Sequence, residues 1–238
     1  MSTLYLFRHG QAGTRDNYDT LSETGRLQSR LLGEYLAAEK VAIDFFYCGQ
    51  LKRQQETAAE ISQAYQRAGI PIPAPTVDPH WNEFDLDGVY QGIAPQIAQD
   101  DPTFRLQYEE LQREAANAGS AVHRRWTASD ITVVRAWIEG RYSYHGESWN
   151  DFVSRVRNAR HQLLQHHANA VIAVATSATP IGIWTGLAME LHPRHIMRTA
   201  GVLHNSSYTT FRIRDGEVSL FSLNNIPHLK EPALRTFR

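Results

Sequence analysis

The sequence predicts an α/β protein of three-layer α/β/α type with a mainly parallel central sheet. Three observations carry that prediction. Short apolar, β-prone runs alternate with amphipathic stretches of helical period along much of the chain. Between Pro95 and Gly146 this alternation gives way to a mainly helical pattern, which reads as an inserted lobe. Reactive polar residues gather where the apolar runs end, the place where open α/β sheets bind ligands.

The elements follow in order. Leu4 to Phe7 is a buried strand that stops at Arg8-His9-Gly10. Leu21-Ser22-Glu23-Thr24 opens a helix with Leu27, Leu31, Tyr35 and Leu36 expected on its inner face. Ile43 to Tyr47 is a second strand, and Arg53 to Ala68 a second helix with Ala58, Ile61 and Tyr65 inward and Gly69 as its stop. Within the lobe, Val133 to Ile138 is helix-like. Ser148 to His167 is a long helix with Trp149, Phe152, Val153 and Val156 on one face, followed by the strand Val171 to Ala175. A further helix is expected from Pro180 with Thr179 as its N-cap, since proline suits the first helical position. Tyr208 to Ile213 and Val218 to Phe221, joined by Asp215-Gly216, form a hairpin.

With 238 residues, 42% hydrophobic and 21% charged, the chain can bury a sizeable core. One domain over 1-238, with the helical insertion at about 95-146, is the expected organisation. The formal net charge of −1 offers no broad positive field for nucleic acid or an anionic membrane, so an anion site has to be local. Met1-Ser2-Thr3-Leu4 shows no charged segment leading into a long apolar one, and no apolar run is long enough to span a bilayer. A cytoplasmic address is expected. The one cysteine, Cys48, reads as a small buried residue. Neither a monomer nor a homodimer is demanded.

Three strand ends carry the chemistry. Arg8 and Arg53 each offer a planar fork of donors matched to phosphate oxygens, and Gly10 lets backbone approach a ligand. Thr176-Ser177-Ala178-Thr179 adds hydroxyls and the free amides of a helix N-terminus. A histidine such as His9 can attack a clamped phosphorus with one ring nitrogen when the other is held protonated by a carbonyl. This chemistry asks for no metal or other cofactor. His166 and His167 point apart on a helix, and His192 with His195 lacks a third ligand nearby.

Leu6-Phe7-Arg8-His9-Gly10-Gln11-Ala12, with Asn17-Tyr18-Asp19, Leu21-Ser22, Gly25 and Gln28, resembles the opening of the histidine phosphatase superfamily, which includes the cofactor-dependent phosphoglycerate mutases. Leu51-Lys52-Arg53 with Thr57-Ala58 resembles its second arginine motif, and Asn82-Glu83-Phe84 its acid-carrying loop. Gly146-Glu147-Ser148 with Phe152 and Arg155-Val156, and Asn224-Asn225 with His228-Leu229, resemble its later segments. The resemblance spans nearly the whole chain and is weakest near 95 to 145. It implies that His9 becomes a phosphohistidine, that Arg8, Arg53, Asn17 and Ser177 bind the phosphoryl oxygens, and that Glu83 protonates the leaving alcohol before water releases phosphate. The last role asks for a protonated Glu83, a state favoured by burial beside a phosphate dianion. Asp85 and Asp87 are competing carboxyls in the same loop.

Two departures stand out. The family's second histidine and the glycine after it are replaced by Ser177 and Ala178, so a charged donor gives way to a neutral one roughly half as strong. Gln54-Gln55-Glu56 replaces the usual alanine and glutamine, which would bring the Glu56 charge near the pocket. His145 and His204 are candidates to stand in for the missing histidine. The resulting expectation is a metal-independent phosphatase acting on a small phosphorylated substrate. A mutase, and a phosphate-binding or interaction protein with impaired turnover, are the alternatives. Tyr90, Tyr108, Trp126, Trp137, Arg124 and Arg125 form no pattern that identifies the substrate.

Overall fold

The computed structural model describes residues 1–13, 19–115, 127–163 and 169–237. The chain forms two compact units, one of Met1–Gly13, Asn17–Glu83 and Arg155–Arg238, the other of Thr14–Asp16 and Phe84–Ser154.

The first unit is built on a six-stranded sheet. Its strands are β1 (Ser2–Arg8), β2 (Phe45–Cys48), β3 (Thr76–Val77), β4 (Val171–Thr176), β5 (Tyr208–Arg214) and β6 (Glu217–Asn225), in the spatial order β3-β2-β4-β1-β5-β6. The first four in that order run parallel, and β5 and β6 close one side antiparallel. Leu4, Leu6 and Phe7 of β1 and Ile172 to Ala175 of β4 are all buried, as in strands covered on both faces. The sheet is therefore mainly parallel, as the apolar runs predict. The β5–β6 hairpin turns through Asp215 and Gly216, both at positive φ, and such a pair fits the right-handed twist of the flanking strands.

Helices α1 (Glu23–Ala38) and α2 (Lys52–Arg67) cover one face. Leu32, Leu36, Ile61 and Tyr65 pack there with Phe7 and Phe46. Ser22 caps α1 through its side chain. The inner face of α1 is offset from the one the leucine spacing suggests. Gln28, Ser29, Leu32 and Leu36 are buried, whereas Leu27, Leu31 and Tyr35 are only half-buried. The offset arises because the two polar residues are paired inside: Ser29 donates to the Gly25 carbonyl, and the Gln28 amide donates to the Leu234 carbonyl and Thr236 hydroxyl.

Helix α6 (Trp149–Leu163) feeds β4, and β4 leads into α7 (Ala178–Met189) and α8 (Pro193–Gly201). Trp184 of α7 meets Phe211 edge to face on the other side of the sheet and stacks on Trp81, 5.6 Å between ring centroids. The start of α7 differs from the sequence expectation. Its N-cap is Ser177, and Pro180 is its third residue. Proline is accommodated there because the first turn's amides have no partner within the helix anyway.

The second unit contains α3 (Leu86–Asp100), α4 (Pro102–Ala115), α5 (Ala128–Ile138) and the first turns of α6. Pro95 lies inside α3. Phe84, Trp137, Trp149 and Phe152 form an aromatic cluster with centroid separations of 4.7 to 6.1 Å. Thr127 and Asp130 make a reciprocal capping box at α5. Among the described residues, no helix is long and apolar enough to cross a membrane.

Candidate active site

Strand β1 sits in the middle of the sheet, and its C-terminal end is held from both sides. The His9 amide donates to the Thr176 carbonyl at 2.8 Å, while the His9 carbonyl accepts from the Ser206 amide at 3.1 Å and from Asn205 Nδ2 at 3.4 Å. The backbone carrying His9 is thereby fixed before its side chain makes any contact. Gly10 continues this close packing. Its amide donates to Thr57 Oγ1 of α2, and a Cβ on it would lie 2.3 Å from the Gly25 carbonyl oxygen.

The His9 ring is buried, and its Nδ1 lies 2.7 Å from the Gly10 carbonyl oxygen. A carbonyl can only accept, so Nδ1 carries the hydrogen and Nε2 keeps its lone pair. Burial, with the Arg53 and then the Arg8 guanidinium close by, holds the ring well below the usual histidine range, against the raising influence of the Gly10 carbonyl. The imidazole is therefore neutral near pH 7, the form in which Nε2 is nucleophilic.

Arg8 and Arg53 are both nearly buried. The Arg8 guanidinium donates through one terminal nitrogen to the Leu203 carbonyl and through the other to the Phe237 carbonyl. Arg53, in the first turn of α2, pairs with Asp19 at 3.0 Å, and the same carboxylate accepts from the Lys52 amide. Asp19 is more than half exposed. It is a site residue that sequence reasoning grouped with its neighbours without giving it a role. The predicted phosphate ligand Asn17 lies outside the described residues.

Ser177 follows β4 directly and is fully buried. Its hydroxyl accepts from Gln54 Nε2 at 2.8 Å and makes no capping bond to α7. The Glu83 carboxylate accepts from the Thr179 amide instead, at 3.1 Å, and so serves the helix end in place of its own N-cap side chain. Glu83 and Ser177 thus meet at one helix terminus. Gln54 is a contributor that its position in the arginine motif does not explain. The signal available in the sequence was the run Gln54-Gln55-Glu56, expected to depart from the arginine motif.

Other candidates are engaged elsewhere. Glu56 does not turn its charge toward His9; it accepts from the Leu21 amide and pairs with Arg26 at 2.9 Å. Asp85 in the second unit is the N-cap of α3, accepting from the Gly88 amide, and Asp87 is exposed in that helix's first turn. The His204 ring lies against Phe237, 4.2 Å between centroids, with Asn224 beside it. His145 is exposed in the second unit. His166, His167, Arg124, Arg125 and Trp126 lie outside the described residues. Cys48 is buried, and burial raises its thiol to about 11.

The fold and these strand ends define the class: an α/β protein that collects a neutral histidine, two guanidiniums and a helix N-terminus around one sheet edge. The model of the histidine phosphatase superfamily (branch 1) matches residues 4–128 and 107–226, and the chain belongs to that superfamily. Among solved structures, the chain is similar to mycobacterial glucosyl-3-phosphoglycerate phosphatase in complex with inorganic phosphate. Identity is 22%, with 96% of this chain and 99% of that one covered and a TM-score of 0.62. It is also similar to Bacillus stearothermophilus YhfR, at 17% identity over 97% of this chain and 100% of that one, with a TM-score of 0.66. No curated protein sequence matches the chain.

Proposed function

We propose that the protein is a metal-independent phosphatase of small phosphomonoesters, working through a phosphohistidine at His9. The observation that carries this reading is the Nδ1 contact to the Gly10 carbonyl, which leaves Nε2 as the free nucleophile of a buried, neutral ring. In the first step Nε2 attacks phosphorus, the bond from phosphorus to the ester oxygen breaks, and Glu83 gives its proton to that oxygen. In the second, Glu83 as carboxylate takes a proton from water, the resulting hydroxide equivalent attacks phosphorus, and the P–N bond breaks to release phosphate. Arg8, Arg53, Ser177 and Asn17 hold the phosphoryl oxygens. The Arg53 fork has to release Asp19 to do so, and the exposure of that carboxylate makes the exchange inexpensive. A reducing, cytoplasmic setting suits a chain whose one thiol is buried.

The test is phosphate release from an activated aryl phosphate and a panel of phosphomonoesters, with chelator present, by wild type and His9→Ala. Release that disappears in His9→Ala, with acid-labile label trapped on the wild-type protein, is the expected result. No release by wild type from any ester overturns the reading and favours a phosphate-binding protein. Interconversion of phosphoglycerates without net release favours a mutase.

A further inference from the structure

We infer that Gln54 is a positioning residue that fixes the Ser177 hydroxyl as a hydrogen-bond donor to the phosphoryl group at His9. The inference rests on the phosphatase reading and deepens it. Gln54 is fully buried, and its Nε2 donates twice, to Ser177 Oγ at 2.8 Å and to the Trp81 carbonyl at 3.1 Å. The Trp81 carbonyl settles which end of the amide faces Ser177, because a reversed amide would set two acceptors against each other.

That orientation determines what Ser177 can offer. Since the hydroxyl oxygen receives an N–H from Gln54, its own hydrogen has to go elsewhere. Capping α7 would again use Ser177 as an acceptor, but the second amide of the helix is taken by Glu83 and the third residue is Pro180, which has none. The hydroxyl hydrogen is thus left for a ligand. Ser177 stands immediately after Thr176, whose carbonyl takes the His9 amide, so Ser177 and His9 occupy neighbouring strand ends about 5 Å apart.

Burying Gln54 leaves one of its polar atoms, Oε1, unpaired among the described residues. Room for it exists only because residue 49 is glycine, where a Cβ would fall 1.9 Å from Oε1 and 2.8 Å from Asn82 Oδ1. The Trp81 carbonyl also accepts from Thr176 Oγ1, at 2.6 Å, so it remains satisfied without Gln54. What Gln54 alone supplies is the orientation of Ser177.

A double-mutant cycle on the full chain tests this, using Gln54→Leu, Ser177→Ala and the pair. Three readouts are taken: kcat and KM on the aryl phosphate, calorimetric affinity for orthovanadate, and the melting temperature. Ser177→Ala is expected to lower kcat by about 10²-fold, and Gln54→Leu by about tenfold in the wild-type background. In the Ser177→Ala background Gln54→Leu should add less than about twofold. Its melting temperature should stay within about 4 °C of wild type. Vanadate affinity should show the same non-additivity. Equal losses from Gln54→Leu in both backgrounds, or no loss in the wild-type background, overturn the inference while the phosphatase reading stands. If wild type releases no phosphate, that reading fails by itself and the vanadate cycle still decides this one. Absence of both phosphate release and vanadate binding by wild type overturns both.

Discussion

The ends of β1 and β4 are neighbours in the same sheet, yet they are held in different ways. At β1 the backbone does the work: His9 is bonded through its amide and carbonyl to Thr176 and Ser206, and its ring is oriented by the adjacent Gly10 carbonyl. At β4 the Ser177 and Thr179 positions are governed by side chains brought from elsewhere, Gln54 from α2 and Glu83 from the loop before α3. The position of His9 therefore depends little on which side chains surround it, while the Ser177 end is set by a few residues that can change together.

The largest expected effect lies at the backbone-held end. His9→Gln, which preserves size and polarity, should lower kcat by at least about 10³-fold with an unchanged melting temperature, as read by steady-state kinetics and thermal unfolding. Retained turnover would remove β1 from the chemistry and break the comparison.

Acid should weaken that same end next. His228 is buried behind it, with Nε2 2.8 Å from the hydroxyl of Ser206, and burial lowers its pKa to about 4. Because Ser206 donates its own hydrogen to the Gln28 carbonyl, His228 is the donor to that oxygen. His9 is depressed in the same direction. Unfolded histidines titrate near 6.5, so below that pH the unfolded chain binds more protons than the folded one. Stability is full above pH 6.5 and declines as pH falls toward 4, with His228 accounting for up to about 3 kcal/mol. Urea unfolding at pH 7 and pH 4.5 should show the loss, and His228→Gln should flatten it.

At the side-chain-held end, Ser177→His alone should not restore a stronger catalyst. Gln54 Nε2 is only 2.8 Å from Ser177 Oγ in a fully buried setting, so an imidazole there overpacks the site and costs about 1–3 kcal/mol. Adding Gln54→Ala should recover the melting temperature and raise kcat above that of the single variant. A single variant that gains activity would show that the two positions are independent.

The smallest effect belongs to Asp19→Asn. Removing the carboxylate that pairs with Arg53 should lower KM for a phosphomonoester by about two- to fivefold, the worth of an ion pair with one exposed partner, and leave kcat nearly unchanged. A raised KM would mean that Asp19 positions Arg53 rather than competes with substrate.

What the sequence disclosed follows the same division. Strand ends and the α/β alternation were legible because apolar period and glycine or proline punctuation are local signals, and they located Arg8-His9-Gly10 and the β5–β6 hairpin. The inner face of α1 was misplaced because Gln28 and Ser29 look like surface residues until their distant partners, Leu234 and Thr236 among them, are known. The start of α7 was placed two residues late because Pro180 and Thr179 form a good local cap, whereas the amide of Thr179 is claimed by Glu83 from 96 residues away. Gln54 showed only as an irregular motif position, since its meaning lies in a bond to residue 177.

The Arg8 contacts bear on how the protein comes into being. Its guanidinium is held by carbonyls 195 and 229 residues further along the chain, and β1 acquires its two sheet neighbours, β4 and β5, only from the last third of the sequence. Strand β1 thus precedes both of its sheet neighbours by a long stretch of chain and has to wait for them. Such long-range pairing slows folding and leaves an apolar segment exposed meanwhile. Recovery of catalysis after dilution from denaturant should accordingly lag behind the return of helical signal.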